Sequence, residues 1–333
     1  MLEQQLGISI ITYNRDKYLN HTLSSLLNSI FKKCKITVYD NCSTDETQTI
    51  SEKYRSLFPN YVVIRHRINI GGGANYLRAV ENSDTEYTWI LADDDEYDLQ
   101  DINDVVEAIE SGHYDVISVA DPSGGGVNWK WNNSGVGKRA KELILEGTKY
   151  FYHFNFISCL IFKTVLFDSN CIRISYEFFT HNIVNIEFIN KSINENFNVY
   201  LSKKNLVTFT CHLPPPYTLV KQWYGFIHCF AKFDDPHFRD CIVRGKGALK
   251  LYKTGNIFLL AVEKIFFKDR FYPMMVDMFL SISWKSRFFV LPLVPFVLVP
   301  TPVFRAMRYV YRFIREKILR LPPQTLFIDT SRD

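Results

Sequence analysis

Cysteine is scarce in this chain of 333 residues, and the seven cysteines are scattered, odd in number and never spaced as C-x-x-C. This pattern argues against a disulfide framework and against a structural zinc site. The N-terminus also lacks the pattern of a signal peptide, because only residues 6–13 are apolar there. We therefore expect a protein of the reducing cytoplasm.

Strong net charge and long apolar runs are missing as well. The chain carries 39 basic and 35 acidic residues, and its net charge of +4 is too close to balance for a general nucleic-acid binder. No apolar run reaches the length of about 18 residues that a spanning helix needs. The positive charge is concentrated in residues 285–333, which hold nine basic and three acidic residues.

Two phosphate-binding signatures are absent. The glycine-rich segment at residues 69–75 is not a G-x-x-x-x-G-K-[ST] loop, which excludes a P-loop NTPase. The sequence TYNR (12–15) follows the first predicted strand, where a dinucleotide fold would carry G-x-G-x-x-G. These two nucleotide-binding classes are therefore disfavoured.

The first 120 residues alternate between strand and helix patterns, which predicts a mostly parallel α/β sheet with helices on both faces. In such sheets, ligands bind outside the carboxyl ends of the strands. Beyond residue 120 the pattern loosens: we expect a helix over 176–196, strands over 197–211 and helical periodicity over 217–284. The predicted strands cover residues 7–12, 35–40, 61–66, 86–92 and 114–119, and the predicted helices cover residues 17–30, 44–57, 74–82 and 101–111.

Polar clusters follow three of these strands: TYNR (12–15), DNCSTD (40–45) and DDD (93–95). Three consecutive carboxylates repel one another unless a cation neutralises them. Carboxylate oxygens are the ligands that Mg²⁺ and Mn²⁺ prefer, shared with substrate phosphates. The residue run 93–95 is therefore either part of a metal site or a solvated acidic turn.

A glycine-rich segment, NIGGGAN (69–75), comes directly before a predicted helix. Successive glycines let the backbone approach a ligand closely, and the N-terminus of a helix favours an anion. The competing interpretation is a tight turn between strand and helix.

Together these segments resemble family 2 glycosyltransferases, especially the bacterial enzymes that build surface polysaccharides of the O-antigen or capsule type. The resemblance covers residues 7 to about 120, with four motifs in family order and spacing. The motifs are SIITYNR (9–15), VYDNCSTDET (38–47), NIGGGANYLRA (69–79) and EYTWILADDDE (86–96).

The resemblance implies the GT-A fold, a Rossmann-like, mostly parallel sheet flanked by helices, with a helical C-terminal extension. We expect a catalytic domain over residues 1–212, whose halves 1–120 and 121–212 bind the nucleotide sugar and the acceptor. A helical region over 213–284 and a basic amphipathic tail over 285–333 would follow.

The same resemblance implies donor-binding roles at the first two strand ends. Thr12, Tyr13 and Arg15 would line the nucleotide pocket. Asp40 would hydrogen-bond the base.

Further donor contacts are implied along the next two motifs. Asn69, Gly71 and Asn75 would border the nucleotide or the sugar. Residues 93–95 would be the D-x-D element that holds a divalent ion, Mn²⁺ or Mg²⁺, against the diphosphate.

The register of the D-x-D element is ambiguous, because family members often read D-x-D-D where this chain has Ala92 before three aspartates. We expect Asp95, with Asp93, at the metal. Asp93 would also contact the ribose or a bridging water, and Asp94 is the alternative.

The resemblance further implies single displacement with inversion, for which a general base must activate the acceptor hydroxyl. The Glu-Asp pair that usually supplies this base is missing from residues 160–200. His181 is the first candidate, because an unperturbed histidine titrates near neutrality, and Glu177 is the second. The competing interpretation of His181 is a surface or packed histidine.

The tail combines a proline-broken apolar segment (288–304) with a helical stripe of apolar residues flanked by five arginines over 304–321. Such a helix suits an anionic membrane surface, which we assign to residues 285–321. The alternative is a helix packed on its own domain or on a second copy of the chain.

The sequence therefore predicts a peripheral enzyme on the inner face of the cell membrane that transfers a sugar from a nucleotide-diphosphate donor. The acceptor would be an oligosaccharide or a lipid-linked glycan. Two alternatives are a degenerate GT-A protein that binds a glycan or acts as a scaffold, and a sugar nucleotidyltransferase.

Overall fold

The computed structural model describes residues 2–119, 135–146, 156–178 and 185–208, together with scattered positions between 276 and 318. The chain divides into two compact units, Met1–His212 and Leu213–Asp333. The elements that position the candidate site belong to the first unit.

Strands and helices alternate through the first 119 residues, as predicted. Within the described ranges the strands are β1 (Leu6–Thr12), β2 (Lys35–Asp40), β3 (Tyr61–Arg65), β4 (Tyr87–Ala92), β5 (Glu96–Tyr97), β6 (Val116–Ser118), β7 (Gly137–Arg139), β8 (Leu160–Lys163), β9 (Asn198–Leu201) and β10 (Val207–Thr208). The α-helices of the same ranges are α1 (Leu2–Gln5), α2 (Asp16–Leu27), α3 (Thr47–Lys53), α4 (Gly72–Glu81), α5 (Asn103–Glu110), α6 (Ala140–Glu146), α7 (Ser169–Phe178) and α8 (Ile186–Asn194).

The main sheet has eight strands in the order β3-β2-β1-β4-β8-β6-β9-β7. Strands β3, β2, β1 and β4 are mutually parallel, and β6 is parallel to β9. Strand β8 runs antiparallel to β4 and β6, and β7 runs antiparallel to β9. A separate antiparallel pair joins β5 to β10. The predicted mostly parallel sheet flanked by helices is confirmed.

Burial of apolar side chains explains why these segments form strands and helices. Strands β1 and β4 are buried along almost their whole length, as expected of parallel strands covered on both faces. Helix α2 buries Leu19, Leu23 and Leu26 at helical spacing. Trp89 on β4 meets Phe31 edge-on, with ring centroids 5.5 Å apart, and its indole N–H donates to the carbonyl of Ser158 at 2.8 Å.

Several predicted helix boundaries are wrong, most clearly those of the predicted helices over 44–57 and 176–196. Helix α3 covers only Thr47–Lys53, and its N-cap, Glu46, makes no side-chain capping bond; the carboxylate of Asp45 accepts the Thr47 N–H at 3.0 Å in the turn before the helix. The predicted helix over 176–196 does not exist as one element. Helix α7 begins earlier, where Asp168 accepts the Cys171 N–H at 2.8 Å, and ends at Phe178, whereas α8 begins at Ile186.

Little of the second unit is described. Residues 314–318 form a single π-helical turn, in which Ile314 and Ile318 are exposed. Within the described positions, no helix has both the length and the apolar character needed to cross a membrane. Most of the predicted helical region over 213–284 and most of the predicted tail lie outside the described residues.

Candidate active site

The carboxyl ends of four parallel strands bring the predicted donor-binding residues to one edge of the sheet. Strand register places Thr12 of β1 beside Asp40 of β2, and Asp40 beside Arg65 of β3. On the other side of β1, Ile11 is paired with Ala92, so the aspartate run begins directly after the end of β4. The predicted convergence of these motifs is therefore present in the fold.

Asp40 is a buried carboxylate with only part of its hydrogen-bonding capacity used. Its side chain is 1% exposed, and Oδ1 accepts the N–H of Ser43 at 2.8 Å. Oδ2 lies 3.6 Å from Nη1 of Arg65 and accepts no hydrogen bond within the described part of the chain. A buried carboxylate oxygen that accepts no hydrogen bond from the protein is suited to accept one from an N–H of a ligand.

Asn14 fastens the loop after β1 to the loop after β2. Its backbone adopts a left-handed conformation with φ of +52°, which Asn tolerates better than most residues. The Asn14 N–H donates to Oγ of Ser43 at 2.9 Å, and its side-chain oxygen accepts the Thr44 N–H at 2.7 Å. The two loops are therefore tied together at the edge of the sheet.

A second link connects the β2 loop to the glycine-rich segment. The Asn41 amide donates to Oδ1 of Asn69 at 2.8 Å and accepts the Ile70 N–H at 2.9 Å. Oδ1 of Asn69 also accepts the Gly71 N–H at 2.8 Å. Gly71 has φ of +84°, and no atom lies within 4 Å of the position that a Cβ would occupy, so its backbone conformation, not crowding, requires glycine.

Asn75 is 2% exposed, and its side chain is committed to internal hydrogen bonds. Its Nδ2 donates to the carbonyl of Tyr39 at 3.0 Å, and its Oδ1 lies 2.9 Å from Nε2 of His66. The His66 N–H in turn donates to the carbonyl of Asp40. Asn75 thus holds the ends of β2 and β3 together from α4.

Arg15 bridges two of the three consecutive aspartates. Its Nη1 lies 2.9 Å from Oδ1 of Asp93 and 2.6 Å from Oδ2 of Asp94. Burial lowers the pKa of Arg15, but the two carboxylates raise it more, so the guanidinium stays charged. Tyr13, in contrast, is exposed at the same loop.

Asp93 and Asp95 are both buried, whereas Asp94 is partly exposed. Burial raises the pKa of Asp93 to about 6, although Arg15 and the Thr12 hydroxyl lower it. The backbone carbonyl of Asp93 also accepts a hydrogen bond from Thr22 of α2 at 3.1 Å. The acidic run is therefore held in place by Arg15 through its side chains and by Thr22 through its backbone.

These residues fit a divalent ion that is shared with a diphosphate better than one held by protein alone. Carboxylate oxygens are the right donors for Mg²⁺ or Mn²⁺, and Asp93, Asp94 and Asp95 supply them at one loop. In the described ranges, however, no three His, Cys, Asp or Glu side chains are grouped as a metal site. Phosphate oxygens would have to complete the coordination.

Of the two candidates for the general base, Glu177 lies among the described residues. His181 lies outside the described residues, as does the neighbouring segment 179–184. Glu177 is 57% exposed near the end of α7, and its carboxylate lies 3.0 Å from Nη1 of Arg173. This exposed i,i+4 ion pair is a common surface feature of helices.

Several residues at this edge were not singled out from the sequence: Asn14, Asn41, Ser43, Arg65 and His66. Arg65 and His66 lie at the end of β3, the strand of the parallel set that no polar motif was predicted to follow. Their position at the carboxyl end of a parallel strand was the sequence signal that could have identified them as site residues. Asn14 gave a weaker one, as an asparagine between a strand and a helix.

Comparison with known proteins now identifies the family. Residues 8–171 match the family model described as Glycosyl transferase family 2. This part of the chain is a family 2 glycosyltransferase domain. The predicted family is confirmed, and the matched range contains every predicted donor-binding and metal-binding residue.

Two curated relatives of this glycosyltransferase domain act in named sugar transfers. The chain is 31% identical over 118 residues to poly(ribitol-phosphate) beta-N-acetylglucosaminyltransferase TarS of Staphylococcus aureus, covering 34% of this chain and 20% of TarS. It is 33% identical over 94 residues to abequosyltransferase RfbV of Salmonella typhimurium, covering 27% of this chain and 28% of RfbV. The chain thus matches less than a third of the length of either relative.

Solved structures show the same fold. The crystal structure of residues 1–349 of S. aureus TarS superposes with a TM-score of 0.62 at 20% identity, covering 85% of this chain and 82% of that one. The complex of the same fragment with UDP-GlcNAc gives the same values. The predicted GT-A architecture is confirmed by this likeness.

Proposed function

We propose that this chain is an inverting, metal-dependent glycosyltransferase that moves one sugar from a nucleotide-diphosphate donor to a glycan acceptor in the synthesis of a bacterial surface polysaccharide. Membership of family 2 supports the reaction class. The names of TarS and RfbV, which are transferases of N-acetylglucosamine and abequose, support the class of substrate.

One observation carries this proposal: a buried carboxylate acceptor and a buried acidic run stand two strands apart at one edge of the sheet. Asp40 ends β2, Thr12 ends β1 and Asp93 follows β4. This spacing suits a nucleotide whose base reaches Asp40 and whose diphosphate reaches the acidic run. Strand ends of a parallel sheet are the usual place for such a ligand.

The donor would be bound by the following groups. Oδ2 of Asp40 would accept an N–H of the base, and Thr12, Tyr13 and Asn69 would border the nucleoside. Asp95 and Asp93 would hold a divalent ion against the diphosphate, with Asp94 as the alternative ligand. When bound, such an ion supplies a Lewis acid that stabilises the negative charge of the departing diphosphate.

A single displacement also needs a group that takes the proton of the acceptor hydroxyl on the face of the sugar opposite the diphosphate. We propose His181 for this role, with Glu177 as the alternative. The exposed ion pair of Glu177 with Arg173 favours His181. The product would have the inverted configuration at the anomeric carbon.

We further propose that residues 285–321 bring the enzyme to an anionic membrane surface on the cytoplasmic side, where a lipid-linked acceptor would be met. The excess of basic residues and the exposed Ile314 and Ile318 support this. Sedimentation with anionic liposomes tests it. Deletion of 285–333 is expected to abolish the sedimentation, and undiminished binding by the deleted protein would refute the proposal.

The donor site is tested by thermal shift with UDP, GDP, CDP and dTDP, each with and without Mn²⁺. A ligand of the folded state raises the melting temperature by mass action, so no acceptor is needed. We expect one nucleotide to give a shift that depends on Mn²⁺ and that is lost in Asp95→Ala. UDP is the first to try, since a TarS structure contains UDP-GlcNAc.

Asp40→Asn tests the base contact in the same assay, with Asp84→Asn as the matched control. Asp84 is an exposed aspartate that pairs with Lys35 at 2.7 Å. We expect Asp40→Asn to lower nucleotide affinity about 10- to 100-fold, the range for a hydrogen bond to a charged group, and Asp84→Asn to leave it unchanged. No shift with any nucleotide in the wild type would favour the degenerate binding protein.

A further inference from the structure

The charged guanidinium of Arg15 contacts carboxylates that would bind a divalent ion. A single nitrogen, Nη1, contacts both Asp93, at 2.9 Å, and Asp94, at 2.6 Å. A cation at hydrogen-bond distance from two carboxylates neutralises much of the charge that would otherwise attract a metal ion. A divalent ion bound by Asp93, or by Asp94, would therefore compete with Arg15 for these oxygens.

The position of Arg15 is fixed by the fold. Its backbone N–H donates to Oγ1 of Thr47 at 3.2 Å, and its carbonyl accepts the Leu19 N–H at 2.9 Å in the first turn of α2. The same helix anchors the acidic run, since Thr22 donates to the Asp93 carbonyl at 3.1 Å. The ion pair thus joins two segments that are held against each other before any ligand arrives.

A nucleoside diphosphate changes this balance, because it brings negative charge to the same place. A guanidinium binds phosphate oxygens as well as it binds carboxylates. Arg15 can then exchange its carboxylate partners for the diphosphate, and the carboxylates become available to the ion. Without the diphosphate, the ion must displace Arg15 from two buried or partly buried partners.

We propose that Arg15 is an internal counter-cation that competes with the divalent ion for Asp93, and for Asp94 where that carboxylate is the alternative ligand, so that the ion binds strongly only together with a nucleoside diphosphate. This inference rests on the proposed function of the donor site. Arg15 acts here as a positioning residue, through the carboxylates that it holds. Metal and nucleotide would then bind with positive coupling of equal size in both directions.

Binding of Mn²⁺ alone to the full chain, followed by the paramagnetic resonance signal of free Mn²⁺ at about pH 8, tests the competition. We expect Arg15→Gln to bind Mn²⁺ at least tenfold more tightly than the wild type, because the aspartates lose their counter-charge. Arg78→Gln is the matched control: Arg78 is an exposed arginine paired with Glu81 at 2.8 Å on α4. It is expected to leave Mn²⁺ binding unchanged.

A second readout is the melting temperature without nucleotide. Arg15→Gln is expected to melt below the wild type in EDTA and to recover on addition of Mn²⁺ alone, whereas the wild type gains little from Mn²⁺ alone. If Arg15→Gln does not fold, Arg15→Met takes its place. Methionine is unbranched and also removes the charge, so the same gain in Mn²⁺ affinity is expected.

The outcomes separate this inference from the function on which it rests. A wild type that shows no melting shift with any of the four nucleotides and Mn²⁺ contradicts the proposed function. A wild type that shows the shift, while the folded Arg15 variant gains no affinity for Mn²⁺ alone, overturns only the role of Arg15.

Discussion

The side-chain oxygen of Asn75 lies 2.9 Å from Nε2 of His66, while its amino group donates to the carbonyl of Tyr39 at 3.0 Å. Because a carbonyl can only accept, the Tyr39 contact fixes which end of the amide faces His66. The oxygen that faces His66 must accept, so Nε2 carries a proton. His66 therefore presents Nδ1 as its acceptor when it is neutral.

This arrangement predicts both a tautomer and a stability effect. Long-range nitrogen–proton NMR correlations of His66 at about pH 8 are expected to show the Nε2–H tautomer. Asn75→Ala is expected to lower the free energy of unfolding by about 1–3 kcal/mol, because it leaves two buried or half-buried groups without their partner. Urea unfolding measures the change.

Asn28→Ala is the control for this variant. Asn28 follows α2, is exposed, and its side-chain amide donates to the carbonyl of Ser24 at 2.9 Å. We expect its replacement to cost less than about 1 kcal/mol. Equal losses for the two variants, or an Nδ1–H tautomer of His66, would contradict the assignment of Asn75 as an internal link.

Gly71 and Gly72 separate the two interpretations of the glycine-rich segment. Gly71 has φ of +84° and ψ of 152°, a region almost restricted to glycine, so Gly71→Ala is expected to cost about 1–3 kcal/mol of stability. Gly72 begins α4, and nothing lies within 4 Å of its ideal Cβ. Gly72→Ala is therefore expected to leave the melting temperature of the free protein unchanged or slightly raised.

The decisive comparison is the nucleotide-dependent shift of Gly72→Ala. If the backbone here approaches the donor, the added methyl group reduces the shift while the free protein melts normally, and this is the result we expect. A full nucleotide shift in Gly72→Ala would mean that the glycines serve the turn alone.

The sequence was sufficient to predict which motifs would meet, because strand ends of a parallel sheet share one edge. It could not predict the pairing of Arg15 with Asp93, residues 78 positions apart, since strand order and register decide which side chains touch. Asn75 illustrates the same limit. It was expected at the donor, yet its side-chain amide is used inside the fold.

Loop contacts account for the mispredicted start of α3. Ser43, Thr44 and Asp45 form a polar cluster suited to an N-cap, but Ser43 and Thr44 are engaged by Asn14, and Asp45 accepts the Thr47 N–H from a position before the N-cap, Glu46. Polar residues that can serve either a cap or a loop contact are not distinguished by pattern alone.

The burial of Asp93 makes the stability of the folded protein depend on pH. Burial raises the pKa of its carboxyl to about 6, whereas an aspartate of the unfolded chain titrates at about 4. Between these values the folded protein keeps a proton that the unfolded chain releases, so this contribution to stability falls as pH rises through the window. In EDTA, the stability of Asp93→Asn relative to the wild type is expected to rise by up to about 3 kcal/mol between about pH 4 and pH 7.

Urea unfolding at closely spaced pH values measures this change, and Asp84→Asn is the control. Asp84 is 66% exposed and pairs with Lys35, so its replacement is expected to show no such window between about pH 4 and pH 7. A difference between Asp93→Asn and the wild type that does not vary with pH would mean that Asp93 titrates normally.

The general base is tested by His181→Asn against Glu177→Gln, in the rate of nucleoside diphosphate release from the nucleotide sugar whose base the thermal-shift panel selects. Loss of a general base lowers kcat by about 10²- to 10⁴-fold, and we expect this of His181→Asn while its nucleotide-dependent melting shift is kept. Glu177 is exposed and paired with Arg173 at 3.0 Å, so Glu177→Gln is expected to change kcat less than about threefold.

The pH profile of kcat adds a second criterion, since a histidine base predicts an acidic limb near about pH 6.5 that disappears in His181→Asn. A loss of kcat in Glu177→Gln with normal turnover in His181→Asn would transfer the role to Glu177, and normal turnover in both would exclude them together.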